Sequence, residues 1–242
     1  MKQTALITGA SKRIGKALTE HLAGKGWNVA VHFNSSEKSA SELVAFLSLK
    51  FPEQKFKSFQ TNLAEISEVE KLISDVIVAF GKIDLLINNA SVFDSSYLKE
   101  TSLELFNSQF EVNLKAPFVL MRDFAKFSKK GNIINFVDTR ITSNKSNFAA
   151  YSLSKKALWE LTKMAALEFS PSIRVNAIAP GVTLPPDDKD ENYLQNLAQN
   201  IPMRKPGGIG PIIKSLDFIL ENNHLTGQLL FADGGENLGQ NA

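Results

Sequence analysis

The sequence has no cysteine among its 242 residues, and this absence excludes several kinds of site. Disulfide bonds, thiolate metal centres and cysteine nucleophiles all require a thiol, so none of them can operate in this chain. A chain without cysteine also fits the reducing conditions of the cytosol. We therefore expect a cytoplasmic protein whose chemistry relies on other side chains.

Long apolar runs and a strong charge imbalance are absent too. No run reaches the roughly 18 apolar residues of a membrane span, and the N-terminal apolar stretch is too short for a secretory signal. The net charge of +2 gives no reason to expect binding to nucleic acid or to an anionic membrane. The composition thus predicts a soluble protein that acts on a small molecule.

Short apolar runs alternate with longer amphipathic stretches along the whole chain. The runs typical of buried strands cover 5–9, 27–33, 55–63, 83–90, 131–138, 173–181 and 227–235. Helical patterns cover 14–26, 36–50, 65–81, 101–128 and 150–169. Pro117 should bend or interrupt the fourth of these. Such repetition requires right-handed crossovers, so we predict an α/β, doubly wound Rossmann fold with a parallel sheet, formed by 1–242 as one domain.

One stretch, 183–208, has the character of an insertion between these elements. It is rich in proline and charge, and it follows the carboxyl end of the predicted sixth strand. Ligands bind at that edge of such sheets. Its position favours a substrate lid over an inert solvated loop.

The segment Thr8–Gly15, TGASKRIG, connects the first predicted strand to the first predicted helix. Gly9 permits a tight turn and Gly15 lets the helix pack closely, while the helix N-terminus offers free N–H groups to a pyrophosphate. The spacing differs from G-x-G-x-x-G, and alone it also fits a plain strand-to-helix turn. Its place in the first βα unit favours a dinucleotide site.

The residues after the second predicted strand favour NADP(H) over NAD(H). NAD-binding proteins usually carry an acidic residue there, whereas this chain has His32, Asn34, Ser35 and Ser36. A 2′-phosphate is tolerated in such surroundings. We expect Arg13 to hold it together with Ser35 and Ser36, because a guanidinium and hydroxyl groups donate well to phosphate oxygens.

Tyr151 and Lys155 lie four residues apart in a predicted helix and therefore share one face. The pKa of a free tyrosine is about 10, too high for easy proton exchange at neutral pH. A nearby ammonium, together with the cation of an oxidised nicotinamide, is expected to lower the pKa of Tyr151. Alone, the pattern also fits an amphipathic helix with a half-buried tyrosine.

Several motifs in order make nearly the whole chain resemble the short-chain dehydrogenase/reductase family. They are the Thr8–Gly15 turn, NNAS at 88–91, Asn113 in NLKAPF, Tyr151 with Lys155, RVNAIAPG at 174–181 and FADGG at 231–235. The resemblance implies a seven-stranded sheet of order 3-2-1-4-5-6-7, a homotetramer or dimer, and hydride transfer from a nicotinamide. It also implies that Asn113 supports a proton-relay water next to Lys155.

The resemblance further implies which residues contact NADP(H). They are Gly9, Ser11, Lys12, Arg13, Ile14, Asn34, Ser35, Ser36, Asn62, Leu63, Asn89, Ala90, Tyr151, Lys155, Pro180 and Gly181. Asn62 departs from the family pattern, in which an aspartate accepts a hydrogen bond from the adenine amine. An amide oxygen still accepts, so we expect weaker orientation of the adenine rather than loss of binding.

Asp138 is a second departure, because most family members have a serine there that donates to the substrate carbonyl. An ionised carboxylate can only accept and would repel a developing alkoxide. The site is therefore poorly suited to ketone chemistry. A carboxyl group suits a nitrogen heterocycle, which offers N–H donors and needs protonation at nitrogen when its C=N bond is reduced.

The same aspartate occurs in pteridine reductases and in similar dihydromonapterin and dihydrofolate reductases. The chain resembles them also in Arg13, within T-G-x-x-x-R-x-G, and in NNASVF, where those enzymes hold the pterin. We therefore predict an NADPH-dependent pterin reductase. Its catalytic residues are Asp138, Tyr151, Lys155 and Asn113, and its substrate-binding residues are Ser91, Phe93, Asp138 and Tyr151. The alternatives are a 3-oxoacyl-carrier-protein or other carbonyl reductase, and a cofactor-binding protein without turnover.

Overall fold

The computed structural model describes residues 2–186 and 189–239. Seven parallel strands form one sheet in the order β3-β2-β1-β4-β5-β6-β7, which confirms the predicted architecture. The strands are β1 (Thr4–Ile7), β2 (Asn28–Phe33), β3 (Phe56–Gln60), β4 (Leu85–Asn88), β5 (Gly131–Phe136), β6 (Ile173–Pro180) and β7 (Leu229–Ala232). Each strand lies within its predicted apolar run or extends it by one residue.

The α-helices connect these strands. They are α1 (Arg13–Gly24), α2 (Glu37–Lys50), α3 (Ile66–Phe80), α4 (Leu103–Phe110), α5 (Ala116–Phe127), α6 (Ala149–Phe169), α7 (Glu191–Ala198) and α8 (Gly210–Glu221). The expected interruption near Pro117 is a π-helical turn, Glu111–Lys115, between α4 and α5. Pro117 itself occupies the first turn of α5, where a missing N–H leaves no intrahelical bond unmade. The sequence patterns did not predict α8.

Apolar side chains on both faces of the sheet hold the helices in place. Successive residues of a strand point to opposite faces, so Ile7 of β1 packs under α1, α2 and α8. Leu6 packs on the other face, under α3, α5 and α6. Both side chains are fully buried. Two helical layers therefore cover one sheet, and the carboxyl ends of its strands share one edge.

That edge contains the topological switch point, because β1 pairs with β2 on one side and with β4 on the other. Crossovers leave the two sides in opposite directions there, which opens a crevice for a ligand. The predicted motifs follow β1, β4, β5 and β6 and so converge on this crevice. Within the described residues, no helix is both long and apolar enough to cross a bilayer.

Candidate active site

The turn between β1 and α1 depends on two glycines. Gly9 has a φ of +62°, in the left-handed region that favours glycine. A Cβ on Gly15 would lie 2.0 Å from the carbonyl oxygen of Gly9, so only glycine allows α1 to start this close to the turn. Asn89 Nδ2 donates to the carbonyl oxygens of Thr8 and Gly9 at 2.8 and 3.2 Å. The turn is thus a fixed backbone cradle at a helix N-terminus, which fits a pyrophosphate.

His32, near the carboxyl end of β2, joins this turn to its neighbours. Its Nδ1 accepts from the Gly9 N–H at 3.0 Å, and its carbonyl oxygen accepts from the Ala10 N–H at 2.9 Å. Its Nε2 lies 3.0 Å from the Thr61 carbonyl oxygen, which can only accept, so Nε2 carries the proton. Burial lowers the pKa of His32 to about 4. The neutral ring therefore ties the glycine turn to the ends of β2 and β3.

This neutral ring predicts a stability that falls with acid. A histidine in the unfolded chain takes up a proton near pH 6.5, whereas His32 in the folded chain does so only near pH 4. Its contribution is therefore complete above pH 6.5 and is lost as the pH falls towards 4. We expect the free energy of unfolding to fall by on the order of 3 kcal/mol over this window, measured by urea denaturation.

The matched test replaces one buried and one exposed histidine. His32→Phe should remove most of the pH slope between neutrality and pH 4, because the variant has no group that titrates at this position. His224→Phe should keep the slope, because His224 is exposed. Equal slopes in the two variants would show that other groups govern the acid response.

Two cations of the glycine turn, Lys12 and Arg13, border one surface cavity. Lys12 is exposed beside a surface cavity of about 550 Å³, which is lined by residues of α1, α2 and the turn. Arg13 borders the same cavity, but its guanidinium donates to the carbonyl oxygens of Pro185 and Leu184 at 2.6 and 3.3 Å. The sequence assigned Arg13 to the 2′-phosphate. In the structure its guanidinium contacts the loop after β6, and its role at the 2′-phosphate stays a prediction.

The other residues expected near the adenosine half lie at the carboxyl ends of β2 and β3. Asn34 and Ser35 are exposed, and the Ser36 side chain makes no capping bond to α2. Asn62 Oδ1 already accepts from the Ala64 N–H at 3.1 Å. Part of its acceptor capacity is therefore used, in line with the expected weaker hold on adenine.

Tyr151 and Lys155 project from one face of α6 towards the carboxyl end of β5. The Tyr151 hydroxyl donates to Asp138 Oδ2 at 2.8 Å, and Lys155 Nζ donates to the Phe136 carbonyl oxygen at 2.9 Å. The other Asp138 oxygen accepts from the Arg140 N–H at 2.7 Å. Tyr151 and Lys155 are both buried. The structure thus brings together the carboxylate, phenol and ammonium that the sequence singled out.

The pKa of Tyr151 moves in the direction opposite to our expectation. Burial raises it well above its ordinary value, and the charge and hydrogen bond of Asp138 raise it further. Burial also lowers the pKa of Lys155, to about 8, and its ammonium lies 5.8 Å from the Tyr151 ring centroid. The expected lowering by Lys155 is wrong for the chain alone. Tyr151 is a phenol that holds its proton.

Asn113 lies in the π-helical turn Glu111–Lys115 and is fully buried. Its Oδ1 accepts from the Val92 N–H at 3.0 Å and from the Ser91 hydroxyl at 2.9 Å, while its Nδ2 donates to the Val92 carbonyl oxygen at 3.0 Å. Such turns often occur at functional sites. Here the turn fixes the segment that carries Phe93. A part for Asn113 in proton relay stays a prediction.

Phe93 presents a flat aromatic surface next to Tyr151. Its ring is stacked on Phe148 with centroids 4.3 Å apart, and Tyr151 meets it edge-on at 4.6 Å. Phe93 nevertheless remains 52% exposed. The Arg140 guanidinium carbon lies 4.2 Å from the Phe148 centroid and 5.7 Å from that of Phe93. A planar ring placed on Phe93 would thus find a phenol and a cation close by.

The segments after β6 and β7 border the same site. A Cβ on Gly181, next to Pro180, would lie 2.6 Å from Asp233 Cα, so β6 and the end of β7 meet closely. Beyond it, Glu236 begins a short helix that docks on the turn after Asp138. The predicted lid, 183–208, contains α7, but its residues 187–188 lie outside the described part of the chain. Its closure over substrate stays a prediction.

Sequence reasoning missed four contributions to this site. Arg140 and Phe148 stand two residues after Asp138 and three before Tyr151, so closeness in sequence to predicted residues is the signal that would have found them. His32 was noted only as a replacement for an acid. Glu236 comes from beyond the last strand, and only the fold brings it here.

Comparison with known proteins agrees with this geometry. A sequence profile of the short chain dehydrogenases matches residues 3–194. The chain is 30% identical over 243 residues to 3-oxoacyl-[acyl-carrier-protein] reductase FabG of Staphylococcus epidermidis, covering 97% of this chain and 99% of the relative. It is 27% identical over 282 residues to pteridine reductase 1 of Leishmania tarentolae, covering 97% and 96%. FolM alternative dihydrofolate reductase 1 from Brucella canis, solved with NADP, matches with a TM-score of 0.92 and 32% identity, covering 99% and 96%.

Proposed function

The chain belongs to the short chain dehydrogenase family, and from this premise we propose that it is an NADPH-dependent reductase of pterins. One observation carries the proposal: the Asp138 carboxylate accepts a hydrogen bond from the Tyr151 hydroxyl at 2.8 Å. A carbonyl reductase needs a second hydrogen-bond donor to the substrate oxygen at this position. The similarity to a pteridine reductase and to an alternative dihydrofolate reductase supports the same substrate class.

NADP(H) is the cofactor, and the described residues fit it. The glycine turn with Asn89 and Ala90 would hold the pyrophosphate side, and Asn62 and Leu63 the adenine. Lys12 would hold the 2′-phosphate with Ser35 and Ser36, because these side chains are not committed to the loop after β6. When bound, NADPH supplies a hydride to the substrate.

Lys12→Ala should therefore raise the KM for NADPH by roughly 10-fold, while the KM for NADH changes little. Steady-state kinetics with both cofactors measures this. Arg13→Ala is the comparison. The phosphate role expected from the sequence means that Arg13→Ala raises the KM for NADPH far more than the KM for NADH. The contacts of Arg13 with 184–185 predict similar changes in the two KM values. A Lys12 variant without selectivity would contradict its assignment to the phosphate.

The chain's own groups would handle the proton. Asp138 accepts a hydrogen bond from a ring N–H and so orients the heterocycle. A carbonyl group has no hydrogen to donate to Asp138 in this way. Tyr151 is protonated at neutral pH and donates to the ring nitrogen as the adjacent carbon is reduced. Lys155 stabilises the phenolate that this donation leaves. The C=N bond thus gains a hydride at carbon and a proton at nitrogen.

Reduction of a 3-oxoacyl thioester is the second candidate, and the 30% identity to FabG favours it. Its transition state places negative charge on the carbonyl oxygen. Asp138, which accepts from the Tyr151 hydroxyl, would repel that charge. This conflict is the reason to prefer the pterin.

A substrate panel with the wild-type protein separates the two. Loss of nicotinamide absorbance is followed with dihydrobiopterin, dihydromonapterin, dihydrofolate and an acetoacetyl thioester. We expect the best pterin to exceed the thioester in kcat/KM by about 100-fold or more. Efficient turnover of the thioester with none of the pterins would establish the second candidate, and no turnover of either would favour a cofactor-binding protein without activity.

A further inference from the structure

Phe93 lies on the loop after β4, and a ring of hydrogen bonds fixes the residues on both sides of it. Before it, the Val92 N–H donates to Asn113 Oδ1 at 3.0 Å, and the Val92 carbonyl oxygen accepts from Asn113 Nδ2 at 3.0 Å. After it, the Asp94 carboxylate accepts from Gln109 Nε2 at 2.8 Å. Gln109 Oε1 in turn accepts from Asn113 Nδ2 at 3.1 Å, which closes the ring.

The two ends of this ring set the direction of every bond in it. A carboxylate only accepts, so Gln109 turns its Nε2 towards Asp94 and its Oε1 towards Asn113. A backbone N–H only donates, so Asn113 turns its Oδ1 towards Val92. The two requirements agree at the bond between the amides, where Asn113 donates and Gln109 accepts. The ring is therefore consistent throughout, with no donor facing a donor.

Gln109 is a polar side chain at a position where an apolar one would be enough for packing. It is fully buried, and among the eight residues of α4 it alone is buried. Burying an amide costs free energy unless its hydrogen bonds are made. Its polar contacts serve the Phe93 loop, because one reaches Asp94 and the other reaches Asn113.

Phe93 needs this support because much of its ring is open to solvent. It remains 52% exposed, although it contacts the rings of Phe148 and Tyr151. A loop residue that becomes ordered only when a ligand binds loses conformational entropy, and this loss weakens binding. A loop that is fixed beforehand avoids that loss.

We propose that Gln109 and Asp94 are positioning residues, which hold Phe93 as a preformed stacking surface for the flat ring of the substrate. The proposal rests on the pterin reductase function and adds two residues that act through Phe93. They should govern binding of the ring and leave the transfer of hydride and proton unchanged. A direct contact of the exposed Asp94 carboxylate with a substrate N–H is the competing explanation.

Gln109→Met is the first test, because it keeps the length of the side chain and removes both hydrogen bonds. Asn113 Nδ2 still has acceptors in the Val92 carbonyl oxygen and in Ser154 Oγ, at 3.0 and 3.2 Å. The KM for dihydrobiopterin should rise by roughly 10-fold, while kcat stays within about threefold. The dissociation constant for NADPH should stay within about twofold.

Gln54→Met is the matched control, because it makes the same change in a glutamine far from the site. Gln54 Nε2 donates to the carbonyl oxygens of Ala23 and Trp27, both at 2.8 Å, near the amino end of β2. This variant should keep the wild-type KM for dihydrobiopterin. An equal rise in both variants would show a general loss of structure and would overturn the positioning role of Gln109.

Two variants of Asp94 separate its hydrogen bond from its charge. Asp94→Ala removes the acceptor and should reproduce the rise in KM. Asp94→Asn keeps an oxygen that can accept from Gln109, so its KM should lie within about twofold of wild type. If Asp94→Asn were as impaired as Asp94→Ala, the charge itself would be needed, and direct contact with the substrate would replace positioning.

A double variant tests whether Gln109 acts through the Phe93 ring. In a Phe93→Leu background, Gln109→Met should change the KM by less than about twofold, because the surface that it positions is gone. A further 10-fold rise in the double variant, or an unchanged KM in Gln109→Met alone, would overturn the inference while leaving pterin reduction intact. A wild-type protein that reduces no pterin would instead overturn the proposed function, and this use of Phe93 with it.

Discussion

Replacing Tyr151 by phenylalanine should lower kcat for pterin reduction by roughly 10²- to 10⁴-fold, the range typical of a lost general acid. The variant keeps the ring that meets Phe93 edge-on and loses only the hydroxyl that donates to Asp138. The dissociation constant for NADPH should change little. Stopped-flow kinetics measures the first quantity, and quenching of tryptophan fluorescence on titration measures the second.

Tyr97→Phe is the matched control, because Tyr97 is exposed and lies on the loop that also carries Phe93. It should retain wild-type kcat. If Tyr151→Phe retained kcat within about 10-fold of wild type, the proton would come from another group, and Tyr151 would be a packing residue.

Asp138→Ser should reverse the substrate preference. It replaces a carboxylate that only accepts by a hydroxyl that donates, so kcat/KM for dihydropterin should fall by about 100-fold while acetoacetyl thioester turnover rises. NADPH binding should stay within about twofold, because no contact of Asp138 lies in the glycine turn. The measurement pairs steady-state kinetics on both substrates with NADPH titration.

Asp138→Asn separates charge from shape. Asparagine keeps the size and an acceptor for the Arg140 N–H, but it removes the charge that raises the pKa of Tyr151. The basic limb of the pH–rate profile should therefore move to lower pH, because the Asp138 charge raises the pKa of both Lys155 and Tyr151 and its removal lets both lose their protons more easily. If both substrates and NADPH binding declined together in both variants, Asp138 would serve only to stabilise its turn.

The layered fold follows directly from local patterns. Alternation along β1 sends Leu6 and Ile7 to opposite faces, and both are buried, so helices must cover the two sides of the sheet. The strand order came from the family resemblance and not from these patterns. The π-helical turn at Glu111–Lys115 could not be read from Pro117, because its geometry depends on the contacts that Asn113 makes with another segment.

The site could be predicted where its chemistry depends on the types of residue present. It was less predictable where the chemistry depends on the direction in which a side chain points and on what surrounds it. The order of motifs was enough to group Asp138, Tyr151 and Lys155. The direction of Arg13 depends on carbonyl groups that arrive from 184–185, far along the chain. The pKa of Tyr151 is raised first by burial and then by the charge and hydrogen bond of Asp138, and only the fold decides how deeply the hydroxyl is buried and which charge lies beside it.

A crystal structure with NADP and a dihydropterin tests the central claim most directly, through the distance from the Asp138 carboxylate to the bound ring. We expect a carboxylate oxygen within about 3.2 Å of a ring nitrogen, with the ring stacked on Phe93. A ring bound away from Phe93, with Asp138 still contacting only Tyr151 and the Arg140 N–H, would contradict the assignment of this site to pterins.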